Sequence, residues 1–176
     1  MTRSCRTTIA CLLLLFVALA CSKSVPNSAT TPGASSSPQR ITSESVVQAA
    51  AQPVEIPAGG SGEAVVRLTI QSGYHVNANP PTYPYLKATA LEVSSSDGVS
   101  VAFITYPKAL DKQFPFAEKP LAVYEGETDL KATLKADPKA KKGERSIPAR
   151  LRIQACDDQV CYPPGTLELA IPVNIK

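Results

Sequence analysis

The 176-residue sequence has no tryptophan, a single histidine, and only two cysteines beyond residue 21. Without tryptophan, the Cys…Trp…Cys pattern of antibody domains is absent, so an antibody-type topology is not indicated. Two cysteines and the distant His75 do not complete the four ligands of a tetrahedral zinc site, so metal binding is disfavoured. The sequence also shows no arrangement of nucleophile and base, which argues against a hydrolase.

A large excess of one charge sign is also missing. The chain has 18 lysines and arginines against 15 aspartates and glutamates, and Arg3 and Arg6 belong to a leader, so 16 basic residues remain. A nearly neutral domain gives no electrostatic reason to expect nucleic acid or an anionic membrane surface as a partner. The lysine-rich run 131–142 is predicted to be a solvated edge, with a functional basic patch as the alternative.

The first 20 residues have the layout of a secretory signal peptide. Arg3 and Arg6 precede an apolar run at 9–19 that is too short to span a membrane comfortably, and small residues lead into Cys21. The Ala-Leu-Ala-Cys sequence ending at Cys21 resembles a bacterial lipobox, in which this cysteine is lipidated and becomes the mature N-terminus. Ser22 would, by the same resemblance, favour the outer membrane. Alanine replaces the preferred leucine, so ordinary cleavage nearby is the alternative.

Residues 21–44 are predicted to be a flexible tether between the anchor and the folded domain. They are rich in serine, threonine, proline, glycine and alanine, and they show no apolar periodicity. Such a composition cannot bury enough apolar surface to form a packed core. With lipidated Cys21, the tether would hold the domain near a membrane without spanning it.

Residues 45–176 are predicted to form one all-β domain. Alternating apolar residues or short apolar runs predict strands at 64–70, 74–78, 89–93, 99–105, 121–124, 128–135, 147–155 and 167–175. Asp97-Gly98 and the segment 137–143 are turn signals, and Pro172 suggests an edge strand or a bulge. No segment has a convincing helical period. About eight or nine short strands in about 130 residues predict an immunoglobulin-like β-sandwich.

The chemistry is expected at Cys156 and Cys161, since Cys5 and Cys11 would be removed with the leader. Four residues separate the pair, which predicts a hairpin that brings the two Cα atoms within disulfide distance. Closing so small a loop removes little unfolded-state entropy, about 2 kcal/mol, so the disulfide is poorly placed as a stabilising link. From the residues alone, a structural disulfide and a redox-active pair both stay open.

The residues around the pair predict its reactivity. If odd-numbered side chains of 147–155 point inward, Cys156 falls on the outward face, unlike most structural cysteines. A bulge near residue 155 would shift this register. Asp157 and Asp158 place negative charge beside both sulfurs, which disfavours the thiolate. Such a pair suits electron transfer to a chosen partner whose own cysteine is activated.

Three motifs occur in a fixed order along 46–176. They are Gly-Tyr-His-Val-Asn-Ala-Asn-Pro at 73–80, Tyr-Pro at 106–107 followed by Tyr-Glu-Gly at 124–126, and Cys-Asp-Asp-Gln-Val-Cys-Tyr-Pro-Pro at 156–164. Together they resemble the N-terminal periplasmic domain of the disulfide reductase DsbD. The resemblance implies an immunoglobulin-like fold and a cysteine pair that takes electrons from a membrane-embedded partner. The acceptors it implies are periplasmic thioredoxin-like proteins, and it implies no cofactor.

The same resemblance implies roles for single residues. Cys161 would form the mixed disulfide with a partner, and Cys156 would resolve it. The family has a mobile cap loop whose aromatic residue covers the disulfide, and the corresponding segment here is 110–118. Phe116 is the better cap candidate by its spacing and Phe114 is the second. For either phenylalanine the alternative is packing in the core.

The chain departs from full-length DsbD in ways that affect its partners. Its cysteine spacing is one residue shorter, its cap segment matches poorly, and it has neither the polytopic membrane domain nor the thioredoxin-like domain. We therefore expect a stand-alone, lipid-anchored protein-disulfide reductase component of the cell envelope that receives electrons from a separate membrane protein. The alternative is a lipoprotein that binds or assembles other components and whose disulfide is only structural.

Two further side chains near the motifs carry structural expectations. His75 is predicted to be a structural hydrogen-bonding residue in the strand 74–78 rather than a catalytic group. Tyr162 could pack on the sulfurs or anchor the hairpin, and Pro163 and Pro164 fix the backbone direction after the pair.

Overall fold

The structure, a computed structural model, describes residues 40–176. The predicted signal peptide at 1–20, Cys21 and most of the predicted tether 21–44 lie outside the described residues. Within 40–176 there is no α-helix, and none of these residues forms a helix that could cross a membrane. The elements are a 3-10 helix at Ser43–Val46 and strands β1 Val47–Ala51, β2 Val54–Ile56, β3 Ser61–Ile70, β4 His75–Asn77, β5 Ala90–Val93, β6 Val99–Thr105, β7 Leu110–Lys112, β8 Leu121–Tyr124, β9 Glu127–Ala136, β10 Gly143–Ile153, β11 Ala155–Cys156 and β12 Gly165–Ile175.

The strands form three four-stranded sheets. Sheet A has the order β1-β3-β9-β6, sheet B the order β2-β12-β10-β5, and sheet C the order β11-β4-β8-β7. The strands pair antiparallel, except that β2 runs parallel to β12. The predicted all-β, immunoglobulin-like β-sandwich is confirmed, with the small sheet C added at the end where the cysteines lie.

The long strands bury their apolar side chains alternately, as the sequence predicts. The buried side chains of β3 are Ala64, Val66, Leu68 and Ile70, and those of β10 are Ile147, Ala149, Leu151 and Ile153. Together with the inward residues of β9 and β12 they form one continuous core between sheets A and B. Burial of this apolar surface is the main force that holds the two sheets together.

The lysine-rich run 131–142 lies differently from the prediction. Its first part belongs to β9, which pairs with β3 on one side and with β6 on the other. The lysines alternate with the buried Ala132, Leu134 and Ala136. Lys131 and Lys135 are therefore solvated, as predicted, but they lie on the outward face of a central strand, so the expected edge position is wrong.

Two of the sequence's turn and edge signals act as predicted. Asp97 and Gly98 have φ angles of 51° and 74° between β5 and β6, a left-handed pair that suits a two-residue hairpin. Because β5 belongs to sheet B and β6 to sheet A, this turn connects the two layers. Pro172 precedes the part of β12 that pairs with β2, so β12 is open on that side at the proline.

The folded part begins at least two residues before the expected boundary at residue 45. Ser43 is fully buried, donates a hydrogen bond from its hydroxyl to the Pro163 carbonyl at 2.6 Å, and accepts one from the Ala155 amide at 2.9 Å. These two residues flank the cysteine segment on either side. The Glu44 carboxylate accepts a further bond from the Thr166 amide. The N-terminal segment therefore fixes the base of the cysteine hairpin.

Candidate functional site

Cys156 and Cys161 are joined by a disulfide across a short hairpin. Their Cα atoms are register partners, and the hydrogen bonds Asp157 amide to Val160 carbonyl (3.0 Å) and Tyr162 amide to Ala155 carbonyl (2.8 Å) flank them. The chain turns back over the four residues between the cysteines, in the predicted hairpin. On the side away from Cys161, the strand β11 pairs with β4, which places Cys156 opposite His75.

The two cysteines are unequally exposed, and the expectation that Cys156 points outward is wrong. Cys156 has 0% exposure, whereas Cys161 is half-buried. Strand β10 ends at Ile153 in sheet B, and the chain enters sheet C at Ala155. The inward parity of β10 continues through Ala155, but the chain has changed sheets by then, so Cys156, on the outward parity of β10, is buried as well.

The Asp157 carboxylate organises the loop between the cysteines. It accepts hydrogen bonds from the amides of Gln159 and Val160, both at 2.8 Å, and from the Tyr162 hydroxyl. These bonds, that of Tyr162 foremost, hold the pKa of Asp157 below its ordinary value. The neighbouring Asp158 is exposed. The Asp157 carboxylate, which was expected to place negative charge beside the sulfurs, therefore accepts hydrogen bonds within the turn.

Tyr162 connects the hairpin to the body of the domain. Its hydroxyl donates to Asp157 at 2.5 Å, and this bond raises the pKa of Tyr162 to about 12. Its ring lies 6.1 Å from that of Tyr74, centroid to centroid, and packs against the main core. Of the two roles open to Tyr162 in the sequence, these contacts match anchoring of the hairpin.

The two phenylalanines of the predicted cap segment have different surroundings. Phe114 is 1% exposed, packs with Leu121 and Val123 in a small second cluster, and stacks on the His75 ring at 4.1 Å. Phe116 is 43% exposed and stacks on Phe114, with the ring centroids 5.5 Å apart. Phe114 is thus a packed residue, whereas Phe116 is a surface residue supported by it.

An open groove of about 690 Å³ lies beside Cys161. Phe116, Val160 and the stacked rings of Tyr83 and Tyr85, 5.2 Å apart, line it. Tyr85 is 69% exposed and Val160 51% exposed. Cys161 therefore borders a surface with an unusual share of exposed apolar and aromatic side chains.

His75 lies on β4, within the motif Gly-Tyr-His-Val-Asn, and is 1% exposed. Its Nε2 atom is buried and finds no hydrogen-bond partner among residues 40–176. The prediction of a hydrogen-bonding structural histidine is wrong for this atom. Burial lowers the pKa of His75, with Glu125 opposing the shift, so the imidazole is neutral at physiological pH.

Gln154 and the two groove tyrosines are site residues that sequence reasoning missed. The Gln154 side-chain oxygen accepts from Asn77 Nδ2 (3.1 Å) and from the Lys87 amide (2.8 Å), and its nitrogen donates to the Tyr162 carbonyl (3.3 Å). It thus links β4, the loop before β5 and the hairpin. No periodic signal marks Gln154, because the apolar alternation runs on through Ala155. The proline-rich Tyr-Pro-Tyr segment was the signal for Tyr83 and Tyr85.

The sequence model of the family described as "Thiol:disulfide interchange protein DsbD, N-terminal" matches residues 42–171. The chain belongs to this family. The match spans the cysteine hairpin, the groove and the sandwich that supports them, so the DsbD resemblance read from the three motifs is confirmed. The Cys156–Cys161 disulfide accordingly lies in a domain of the thiol–disulfide exchange class.

Two solved structures are similar to this member of the DsbD N-terminal family. The reduced DsbD N-terminal domain of Neisseria meningitidis is 20% identical, with 74% of this chain and 87% of that chain covered and a TM-score of 0.47. The N-terminal periplasmic domain of ScsB from Proteus mirabilis is 15% identical, with 72% of this chain and 46% of that chain covered and a TM-score of 0.49. No curated protein matches the chain.

A metal ion in this domain would need several donor side chains placed to bind it together. Within residues 40–176, no group of three or more histidine, cysteine, aspartate or glutamate side chains is placed to hold a metal ion. The site consists of the disulfide, the buried histidine, the Asp157–Tyr162 contact and the aromatic groove.

Replacing Asp157 with asparagine tests the charge at the hairpin. Because the pKa of Asp157 is lowered by folding, its charged form stabilises the domain above the ordinary pKa of 3.8, and this stabilisation is lost as the pH falls through the lower folded-state value. We expect Asp157→Asn to reduce the free energy of unfolding at pH 6 by about 0.5–1 kcal/mol, since solvent screens the exposed part of the contact. Urea titrations from pH 6 to pH 2 measure it.

The difference between wild type and Asp157→Asn should shrink as the pH falls below 3.8 and close once it has passed through the lowered folded-state pKa of Asp157. Asp158→Asn is the matched control, because the exposed Asp158 accepts no hydrogen bond from residues 40–176. Parallel stability curves for wild type and Asp157→Asn would show that the carboxylate charge does not hold the hairpin.

Proposed function

We propose that this domain carries reducing equivalents through Cys156 and Cys161 from a membrane electron-transfer protein, similar to the DsbD membrane domain, to periplasmic thioredoxin-like proteins. The observation that carries the proposal is the unequal exposure of the pair beside an open groove. One sulfur lies at a surface where a partner can dock, and the other is withdrawn from solvent.

The exposures favour Cys161 as the cysteine that forms the mixed disulfide. Thiol–disulfide exchange requires a thiolate to reach the sulfur of its partner, so access limits the reaction. Cys161 borders the groove, whereas Cys156 has 0% exposure and does not line it. Cys156 is then the resolving cysteine, protected from stray thiols until the partner is bound to Cys161.

The groove supplies a surface on which a partner could dock. Exposed apolar and aromatic side chains bordered by polar ones are typical of protein-binding surfaces. Tyr83, Tyr85 and Val160 would contact the partner next to Cys161. Phe116 is the residue that could shield Cys161 between encounters, because it is exposed, lies in the same groove, and rests on Phe114 without being enclosed by the core.

Electron flow in this scheme is a two-electron exchange. The donor reduces the Cys156–Cys161 disulfide to two thiols, and the thiols then reduce an acceptor disulfide while their own disulfide reforms. The domain needs no cofactor for this cycle, since the electrons move with the sulfur–sulfur bonds.

Single-cysteine variants test the exchange function and the roles of the two sulfurs. In Cys156→Ala the accessible Cys161 lacks its resolving partner. The bait is a thioredoxin-like protein that has lost its own resolving cysteine and whose remaining cysteine is held as a mixed disulfide with thionitrobenzoate. Attack by Cys161 should release thionitrobenzoate and capture the bait as a stable mixed disulfide. In Cys161→Ala we expect about tenfold less capture, because reactivity follows access. Non-reducing electrophoresis with mass spectrometry of the adduct measures both, and capture by neither variant would rule out exchange.

The proposed lipid anchor of the envelope protein depends on Cys21. If this cysteine is lipidated after signal-peptide cleavage, the full chain should fractionate with membranes and incorporate a labelled fatty acid. Cys21→Ala should lose the label and move largely to the soluble fraction, while Ser22→Ala, the neighbouring control, should keep both. An unchanged distribution and no label in the wild type would contradict lipid anchoring.

A further inference from the structure

We propose that His75 accepts the proton of the Cys156 thiol when Cys156 resolves the mixed disulfide. This inference rests on the exchange function proposed above. Disulfide exchange by the two cysteines alone gives His75 no chemical role, and proton transfer would give it one.

The first support is the register of sheet C. His75 and Cys156 are directly opposed across the antiparallel β4–β11 pair. Opposed residues project from the same face of a sheet with Cβ atoms about 4.5–5.5 Å apart. The imidazole and the Cys156 sulfur are therefore neighbours on one face, and both are withdrawn from solvent, with exposures of 1% and 0%.

The second support is the unpartnered nitrogen. Buried polar atoms almost always have a hydrogen-bond partner, and exceptions call for an explanation. His75 Nε2 is buried without one among residues 40–176 while the cysteines form a disulfide, a state in which Cys156 has no proton to share. Reduction creates an S–H group on the opposed residue, and this group can supply the missing partner.

The third support is the environment that keeps the imidazole able to accept a proton. The Phe114 ring stacks on it at 4.1 Å and excludes water from that side. Burial lowers the pKa of His75, so the ring is uncharged at neutral pH and its lone pair is available. The charged groups that act on it are Glu125, Asp157 and Asp158, which favour the protonated ring, and Lys112, which opposes it.

Two of these nearby carboxylates are already engaged. Asp157 accepts three hydrogen bonds from the hairpin, and Glu125 is paired with Lys112 at 2.6 Å. Asp158 is exposed to water at the loop surface. His75, by contrast, is buried next to Cys156, its Nε2 atom has no hydrogen-bond partner among residues 40–176, and its imidazole is uncharged at neutral pH.

The resolving step begins from a covalent complex between the domain and its acceptor. The mixed disulfide joins Cys161 Sγ to a sulfur of the acceptor. The Cys156 thiol gives its proton to His75 Nε2, and the resulting thiolate attacks Cys161 Sγ. The bond between Cys161 and the acceptor breaks, and its electron pair leaves on the acceptor sulfur as a thiolate. That thiolate, or solvent, later takes the proton from His75, so two electrons have passed from the cysteine pair to the acceptor.

The test uses the reduced full chain with Cys5, Cys11 and Cys21 replaced by serine, so that Cys156 and Cys161 are its only thiols. The probe is 4,4′-dithiodipyridine, a small disulfide whose released thiopyridone absorbs light from acidic to alkaline pH. The first thiopyridone reports attack by Cys161, and the second reports resolution by Cys156. Stopped-flow measurements from pH 5 to pH 10 compare wild type with His75→Gln and His75→Phe. The phenylalanine variant keeps a ring against Phe114 in case the glutamine variant folds poorly.

In the wild type, the second phase should rise with pH to a plateau once His75 is neutral, at a pKa below the ordinary 6.5. In both variants the second phase should be about 100-fold slower at pH 7, the usual order for loss of a general base. The difference from the wild type should shrink at alkaline pH, because the Cys156 thiol then ionises without a base. The first phase should change less than about twofold, because Cys161 does not need the base.

Tyr162→Phe is the control for a loosened hairpin, and it should change the second phase by the same factor at every pH. A pH-independent deficit of that kind in both His75 variants, or an equal slowing of both phases, would overturn the inference. Failure of the exchange function itself looks different. The single-cysteine variants would then capture no thioredoxin-like protein even though both small-disulfide phases were normal.

Discussion

The site depends on one constraint, the passage of the chain from sheet B to sheet C at Gln154. Strand β10 needs its apolar alternation to fill the core, and it keeps that alternation to Ile153. Beyond Gln154 the backbone pairs with β4, so Cys156 is buried against His75 and the returning Cys161 reaches the groove. Gln154 itself links three segments at this point, which fixes the geometry that makes the two sulfurs different.

The supports of the hairpin favour a pair that stays in place in both redox states. Ser43 bonds to residues on both sides of the hairpin, and Asp157 and Tyr162 close its loop without involving the sulfurs. Closing a loop this small adds little stability through unfolded-state entropy, so the disulfide contributes less than a link between distant strands would. A hairpin held by hydrogen bonds can therefore open and close its disulfide without large changes in the rest of the domain.

Much of the fold could be predicted from the sequence, because it follows from local patterns. The alternation in β3 and β10 and the Asp97-Gly98 turn each act through neighbouring residues. The hairpin was also predictable from the cysteine spacing. The burial of Cys156 was not, because a change of sheet at Gln154 has no periodic signature. The unpartnered Nε2 of His75 and the groove at Cys161 both depend on contacts between segments that are far apart in the chain. A single sequence does not show which distant segments come into contact.

The measurement that tests thiol–disulfide exchange most directly is the reduction potential of the Cys156–Cys161 pair. It can be read by equilibrating the domain with defined dithiothreitol or glutathione redox buffers and quantifying the free thiols. A pair that cycles with thioredoxin-like partners should have a potential near the thioredoxin value of about −270 mV. A potential well below about −300 mV would mark a structural disulfide and contradict exchange.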